Sequence, residues 1–181
     1  MRADARRNRE RVLEAAVEAF ASEGLSVPVA EIARRAGVGT GTVSRHFPTK
    51  ESLYEAIVVS RAEELVERAR QLGTAHDAGT AFFEFFTFMV EQVSRNRGLA
   101  EALAGGGVDL EAAAARAGHD LEGVEARLLK RAQRAGAVRA DVTMADIKAL
   151  ILGCLARDRL SPDPAATKRM IAIACAGLRR P

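Results

Sequence analysis

Short polar side chains and one arginine are concentrated between residues 40 and 46 of the sequence. Hydroxyl, imidazole and guanidinium groups can hydrogen-bond the edges of bases, and a short helix that carries them fits the major groove of DNA. Lys50 follows, and a lysine neutralises a backbone phosphate without reading the base sequence. Seven residues are therefore candidates for DNA contact: Thr40, Gly41, Thr42, Ser44, Arg45, His46 and Lys50.

The segment before these residues has the pattern of a helix and a tight turn that would position them. Apolar residues recur at spacings of three and four from Val29 to Ala36, which predicts an amphipathic helix. Gly37 follows, and glycine adopts the left-handed backbone of a tight turn without steric cost. We therefore predict a helix-turn-helix unit between Arg9 and Lys50. Its inward-facing residues are predicted to be Ile32, Ala33, Ala36, Val38, Val43 and Phe47.

The rest of the chain keeps this helical periodicity, and the alternation typical of strands is absent. The predicted fold class is all-α, with about nine helices, in which a helix-turn-helix region precedes a larger helical region. A fourth helix is predicted from Thr49 to just before Gly73, and a short helix from Leu99 to Leu103, before the glycines at 105–107. Other residues mark predicted helix ends, with starts at Asp77, Thr143 and Asp163, a break near Gly118 or Gly123, and ends at Gly24 and Gly136.

Composition and charge narrow the function classes only a little. The chain has 181 residues, 28% of them charged, and a net charge of +3 that lies entirely within residues 1–50. Neither a signal peptide nor a membrane-spanning apolar run is found in the sequence, so elimination predicts a cytoplasmic location.

Cys154 and Cys175 lack CxxC spacing and histidine neighbours, which predicts buried thiols rather than a metal site or a disulfide.

Sequence motifs of enzymes are missing. No HExxH, GxSxG, P-loop or strand-borne GxGxxG is present, and we predict neither a catalytic residue nor a cofactor. The glycines between Gly37 and Gly41 follow a helical pattern, not a strand, which argues against a phosphate loop.

Several short segments together resemble the signature of the tetracycline-repressor (TetR) family: Ile32-Ala33, Ala36-Gly37-Val38, Gly41-Thr42-Val43, Arg45-His46-Phe47 and Lys50-Glu51. The resemblance implies a DNA-binding domain over residues 1–48 and a helical ligand-binding and dimerisation domain over 49–181, with 49–72 as the connecting helix. It also implies that residues 40–46 supply the recognition helix and that Lys50 contacts a DNA phosphate. The sequence departs from the family at Ser44, where a tyrosine is usual.

A run rich in phenylalanine, from Phe82 to Met89, has two interpretations. Core packing is the simpler one, because apolar residues on a helix usually face the core. A helix that is apolar around so much of its circumference also suits the wall of a cavity, and the family resemblance favours an effector pocket there. The candidate pocket residues are Phe82, Phe85, Phe86 and Met89, and their apolar character predicts a small hydrophobic effector.

The last two predicted helices each carry an apolar face that has two possible partners. These faces could pack on their own domain, or they could form the homodimer that the family resemblance implies, whose two-fold symmetry would match a palindromic DNA operator. The candidate interface residues are Ile147, Leu150, Ile151, Cys154, Met170, Ile171, Ala174 and Leu178.

Taken together, these patterns and the resemblance predict a sequence-specific regulator, most simply a ligand-responsive repressor that binds operator DNA as a dimer. The alternative is an architectural, nucleoid-type DNA binder without small-molecule control. Two smaller questions also stay open. The N-terminal arginines at positions 2, 6, 7 and 9 either contact DNA or only solvate the chain end, whereas Arg34 and Arg35 are predicted to lie on a solvated face.

Overall fold

The computed structural model describes residues 2–95, 110–160 and 163–180. Within these ranges the chain forms nine α-helices: α1 Arg2–Glu23, α2 Val29–Ala36, α3 Thr40–His46, α4 Lys50–Ala75, α5 Ala78–Arg95, α6 Leu110–Arg116, α7 Leu121–Arg134, α8 Met144–Leu160 and α9 Pro164–Leu178. The all-α prediction is confirmed. The predicted helix at Leu99–Leu103 and the glycines at 105–107 lie outside the described residues. None of the described helices is long and apolar enough to cross a membrane.

Three helix starts are set by the capping residues that the sequence predicted. The Thr49 hydroxyl accepts a hydrogen bond from the Ser52 N–H at 3.1 Å at the start of α4. Thr143 and Asp146 satisfy each other's backbone N–H groups at the start of α8, which is a capping box. Asp163 accepts from the Ala165 N–H at 2.9 Å, with Pro164 as the first residue of α9.

One predicted helix end is wrong. α4 does not stop before Gly73 but continues to Ala75. The Gly73 carbonyl accepts a hydrogen bond from Arg131 Nη1 of α7 at 3.0 Å, and a Cβ atom at this position would lie 3.2 Å from the same nitrogen. The glycine therefore permits a close approach of α7 and does not terminate the helix.

The break between α6 and α7 falls at Gly118, one of the two predicted positions. Gly118 has a φ of +83°, and Asp120 then caps α7 by accepting a hydrogen bond from the Gly123 N–H at 3.0 Å. Gly123 lies inside the first turn of α7.

The chain divides into two compact units, and the described part of the first comprises residues 2–62 and 110–117. Helices α1, α2 and α3 contact one another there and bury one apolar core. Tyr54, near the start of α4, joins this core because its ring meets Phe20 edge-on at 4.9 Å and its hydroxyl donates to the Leu25 carbonyl at 2.7 Å. Fully buried members of the core include Val12, Ala16, Phe20, Ile32, Val43, Leu53 and Ile57.

The described part of the second unit comprises residues 63–95, 118–160 and 163–180. Helix α5 packs against α7, α8 and α9. An isolated β-bridge joins Val138 to Arg179, so the segment between α7 and α8 is tied to the end of α9. The Arg179 guanidinium also lies 4.1 Å from the centre of the Phe83 ring on α5. The boundary between the two units falls within the long helix α4, between residues 62 and 63. The sequence analysis had placed all of 49–72 in the second domain.

Candidate DNA interface and effector pocket

Helix α3 presents the residues that the sequence selected for DNA contact. It is anchored to the core of the first unit by Val43 and Phe47, which are 0% and 5% exposed. The predicted internal face is confirmed, with Val38 only partly buried. Thr40, Gly41, Ser44 and Arg45 are exposed, whereas Thr42, His46 and Lys50 are half-buried. The outward side of α3 is therefore polar and open to a partner.

His46 has two possible roles, as a structural residue that packs against Phe47 or as a residue that contacts DNA. Its ring centre is 6.2 Å from that of Phe47, with the two planes tilted by 49°. The contact holds the imidazole at the end of α3, while the residue remains half-exposed. Packing against Phe47 and proximity to DNA are thus compatible at this position.

The arginines of α2 are neutralised by nearby carboxylates. Arg34 and Arg35 both donate to the Glu31 carboxylate, at distances between 2.7 and 2.8 Å, and Arg35 also pairs with Glu23. The hydrogen bonds from Arg34 and then Arg35 hold the pKa of Glu31 at about 2, below its ordinary value of 4.5. Both arginines thus belong to an ion-pair network on the surface of α2.

Arg45 and Lys50 differ from the arginines of α2. Over residues 2–95, 110–160 and 163–180, neither side chain forms an ion pair with a carboxylate. Their positive charge is available to an external anion, and a polyanion such as DNA meets that requirement. Positive charge without a carboxylate partner is therefore present on α3 and at the start of α4.

Helix α1 brings two further arginines to the same region. The Arg9 guanidinium lies 5.6 Å from the centre of the Phe47 ring, and Arg11 Nη2 donates to the Gly37 carbonyl at 3.4 Å. Arg9 belonged to the predicted arginine-rich end, but Arg11 was missed because its place depends on how α1 crosses α2. Arg6 and Arg7 are paired with Glu10 and Asp4 on their own helix.

The four predicted pocket residues come together around one cavity in the second unit. Phe82, Phe85, Phe86 and Met89 line it from α5, and α7 and α8 complete the wall with Glu125, Leu128, Met144 and Ile147. The space open to the centre of a water molecule is about 10 Å³, close to what one water needs. The phenylalanine run therefore forms a packed core that leaves a small cavity, which combines the two interpretations of the sequence.

Glu125 is the pocket residue that sequence reasoning missed. It is 7% exposed, and among the residues the structure describes it is the only polar or charged side chain that is buried to this degree. Its neighbours at helical spacing on α7, Leu121, Val124, Leu128 and Leu129, are all buried and apolar. The charge on an otherwise apolar face was the available signal.

The predicted interface residues of the last two helices differ in how far they are exposed within one chain. Ile147, Cys154 and Leu178 are at most 3% exposed within their own chain, and Ile147 lines the cavity, so they have almost no surface left for a partner. Ile151, Ile171 and Ala174 are 7–9% exposed, and Leu150 and Met170 are half-buried. Among the side chains that the structure describes on these helices, the large apolar ones that are exposed are Leu152, at 62%, and Ile173, at 67%.

The two cysteines were predicted to be buried thiols. Neither forms a disulfide within the described residues, but only Cys154 is buried, while Cys175 is half-buried. Burial raises the pKa of the Cys175 thiol, which opposes ionisation.

The fold and the exposed recognition helix define the class of the protein: an all-α, helix-turn-helix transcriptional regulator that binds DNA. Residues 12–57 match the N-terminal model of bacterial regulatory proteins of the TetR family, and residues 77–180 match the C-terminal domain of SbtR-like transcriptional regulators. The chain belongs to the TetR family, whose members are transcriptional regulators and not enzymes.

Solved structures and curated relatives agree with this assignment. A TetR regulatory protein from Mycobacterium vanbaalenii is 47% identical, with 98% of each chain covered and a TM-score of 0.76. A TetR regulator from Streptomyces coelicolor is 29% identical, with 95% of this chain and 98% of that one covered and a TM-score of 0.74. The Pseudomonas putida regulators SrpR and TtgW are 39% and 38% identical over 64 residues, 35% of this chain. These matches span only 30% and 48% of the two curated relatives' own lengths.

Proposed function

We propose that the protein is a ligand-responsive repressor that binds a palindromic operator as a homodimer, and that it acts in the cytoplasm, where its DNA target lies. The observation that carries the proposal is the separation of two kinds of site. One unit presents a polar recognition helix with available positive charge, and the other encloses an apolar cavity. We accordingly assign DNA binding to residues 1–48, and effector binding and dimerisation to 49–181.

The division of work within the DNA interface follows from reach and charge. A bidentate arginine to guanine discriminates against other bases by about 1–3 kcal/mol, whereas a lysine on a phosphate adds affinity for every sequence. We assign base reading to Arg45 and to the hydroxyls of Thr40, Thr42 and Ser44. Lys50 is assigned to a phosphate.

The exposed face of α8 and α9 supports the homodimer. Leu152 and Ile173 expose large apolar surfaces that a second copy would cover. Gly153, inside α8, costs about 1 kcal/mol relative to alanine, and a Cβ atom there would meet nothing within 4 Å. A glycine that has no steric reason within its own chain is explained by close approach of a partner helix. Two copies related by a two-fold axis would present their recognition helices to two half-sites.

The contacts of the second unit suggest how an effector would influence the dimer. Ile147 in the cavity wall and Leu152 on the exposed face belong to the same helix, α8. The Phe83 ring contacts Phe82 of the cavity, and the Arg179 guanidinium at the end of α9 packs on the Phe83 ring. An effector shifts DNA affinity only if it binds the operator-competent and the released arrangements unequally. We propose that pocket occupancy moves α8 and α9, and that α4 passes the change to the recognition helices.

Selection of binding sites from random DNA tests the proposal. We expect a short palindrome bound by two copies, together with ligands that release the purified complex. Sedimentation that shows one chain per operator would contradict the dimer, and stabilising ligands that never release DNA would contradict effector control. Genome-wide occupancy separates the alternative, because an architectural binder would coat long stretches instead of a few promoters.

A further inference from the structure

The cavity of the second unit combines an apolar wall with one buried carboxyl group. Six of its eight lining residues lie on α5 and α8 and are apolar, and α7 supplies Leu128 and Glu125. The position of Glu125 is the unusual feature, since buried residues at helical spacing surround it on its own helix.

Placing a carboxyl group on this face is costly. Removing an ionised group from water costs several kcal/mol, and replacing even a paired buried charge by well-packed apolar residues of similar volume is often neutral or stabilising. Glutamate is therefore a poor choice if position 125 serves packing alone. Recognition of a ligand gives the carboxyl group a role that a leucine or methionine could not fill.

The aromatic wall of the cavity favours the same class of ligand as the carboxyl group, namely a cation. Phe82, Phe85 and Phe86 line the cavity together with Glu125. Faces of aromatic rings attract cations, and a carboxylate compensates the cost of removing an ammonium group from water. An anionic ligand finds neither of these, and a neutral apolar ligand uses only the hydrophobic surface.

The size of the cavity indicates where it must open. A space of about 10 Å³ does not hold an organic molecule, so a ligand has to displace side chains. Met89 on α5 and Met144 at the start of α8 line the cavity, and methionine is the apolar residue that changes shape most easily. Displacing Met144 would act directly on α8.

We propose that this pocket binds small apolar amines, with the protonated amino group held by the Glu125 carboxylate against the phenylalanine rings. The inference rests on the proposed function in taking the cavity as the effector site, and it adds the class of effector. Glu125 is then the residue that makes the pocket prefer positively charged ligands.

Three probes of nearly equal shape and different charge test the inference: benzylamine, benzyl alcohol and benzoate, each titrated at pH 7 into the full chain without DNA. We expect benzylamine to bind most tightly and benzoate least. Loss of a charged hydrogen bond typically weakens binding about ten- to a hundredfold. Glu125→Gln should cause that loss for benzylamine and change benzyl alcohol less than about threefold. Glu122→Gln, on the exposed side of the same helix, is the matched control and should change none of the three.

Each outcome has a defined meaning. Equal binding of the three probes, tighter binding of benzoate, or a Glu125→Gln variant that retains full affinity for benzylamine would overturn the inference, while leaving a ligand-responsive repressor in place. Failure of all three probes to bind would also overturn it, and the proposed function would fall only if no ligand from a broad collection released the operator. If Glu125→Gln does not fold, the order of the three probes on the natural chain decides.

Discussion

The recognition helix and the cavity use charge in opposite ways. Arg45 and Lys50 keep their charges at the surface without an ion pair in the described chain, so a partner can approach them without first breaking internal contacts. Glu125 is buried among apolar residues, so a ligand can reach it only if the wall moves. The first arrangement suits a rigid surface that docks to DNA, and the second suits a site whose occupancy must change the structure around it.

The largest expected effect comes from removing the core that supports the recognition helix. Phe20 is fully buried and its ring meets that of Tyr54. Phe20→Ala should lower the free energy of unfolding by about 3–5 kcal/mol, because it leaves a cavity that the neighbouring side chains cannot fill. We expect operator binding to be lost, as measured by fluorescence anisotropy, and unfolding to shift in urea. Phe88→Ala, at a half-buried position of the second unit, is the control and should retain operator binding.

A smaller but still large effect is expected at the proposed dimer face. Leu152→Glu places a charge on a side chain that is 62% exposed in the single chain, so folding of the chain itself should change little. A charge buried in an apolar interface should raise the dissociation constant of the dimer about a hundredfold or more, as measured by sedimentation. Ala145→Glu, at another exposed position of α8, is the matched control. A Leu152→Glu chain that remains fully dimeric would show that the interface lies elsewhere.

The DNA interface offers a test of intermediate size that uses two arginines of one motif. Arg45→Ala should weaken binding to the selected operator by about 1–3 kcal/mol and relax the base preference at one position. Arg34→Ala should have little effect, because Arg34 is paired with Glu31 and does not lie on α3. Anisotropy titrations with base-substituted operators measure both. Equal losses for the two variants would contradict the distinction between paired and available charge.

Lys50 should respond to salt in a way that Arg45 does not. Lys50→Ala is expected to weaken binding to all sequences similarly and to reduce the slope of log affinity against log salt by about 1, since one phosphate contact is lost. Titrations at several salt concentrations measure the slope. An unchanged slope would remove Lys50 from the phosphate contacts.

The same two regions show what could be predicted from the sequence. The helix-turn-helix lies within about twenty consecutive residues and rests on local rules of periodicity and capping, so its internal face and the bend at Gly37 followed directly. The positions of Glu125 and Ile147 in the cavity wall did not follow from the sequence, for the opposite reason. Both lie on apolar helical faces, and which neighbour such a face meets depends on packing between helices that are distant in sequence. Gly73 is the clearest case, since its role depends on Arg131, 58 residues away.

The smallest expected effect concerns the ion pairs of α2 and has a definite sign with pH. The pKa of Glu31 in the folded chain is about 2, below its ordinary value of 4.5, because Arg34 and Arg35 donate hydrogen bonds to the carboxylate. The ionised form is therefore favoured by folding, and its stabilisation is fully present above about pH 4.5 and disappears as the pH falls toward 2. Because the network is at the surface, Glu31→Gln should lower the melting temperature at pH 7 by only a few degrees. The difference from the natural chain should vanish near pH 2, and Glu14→Gln, on the exposed side of α1, should show no such convergence. A Glu31→Gln deficit that stayed constant from pH 7 to pH 2 would mean that the carboxylate acts through packing and not through its charge.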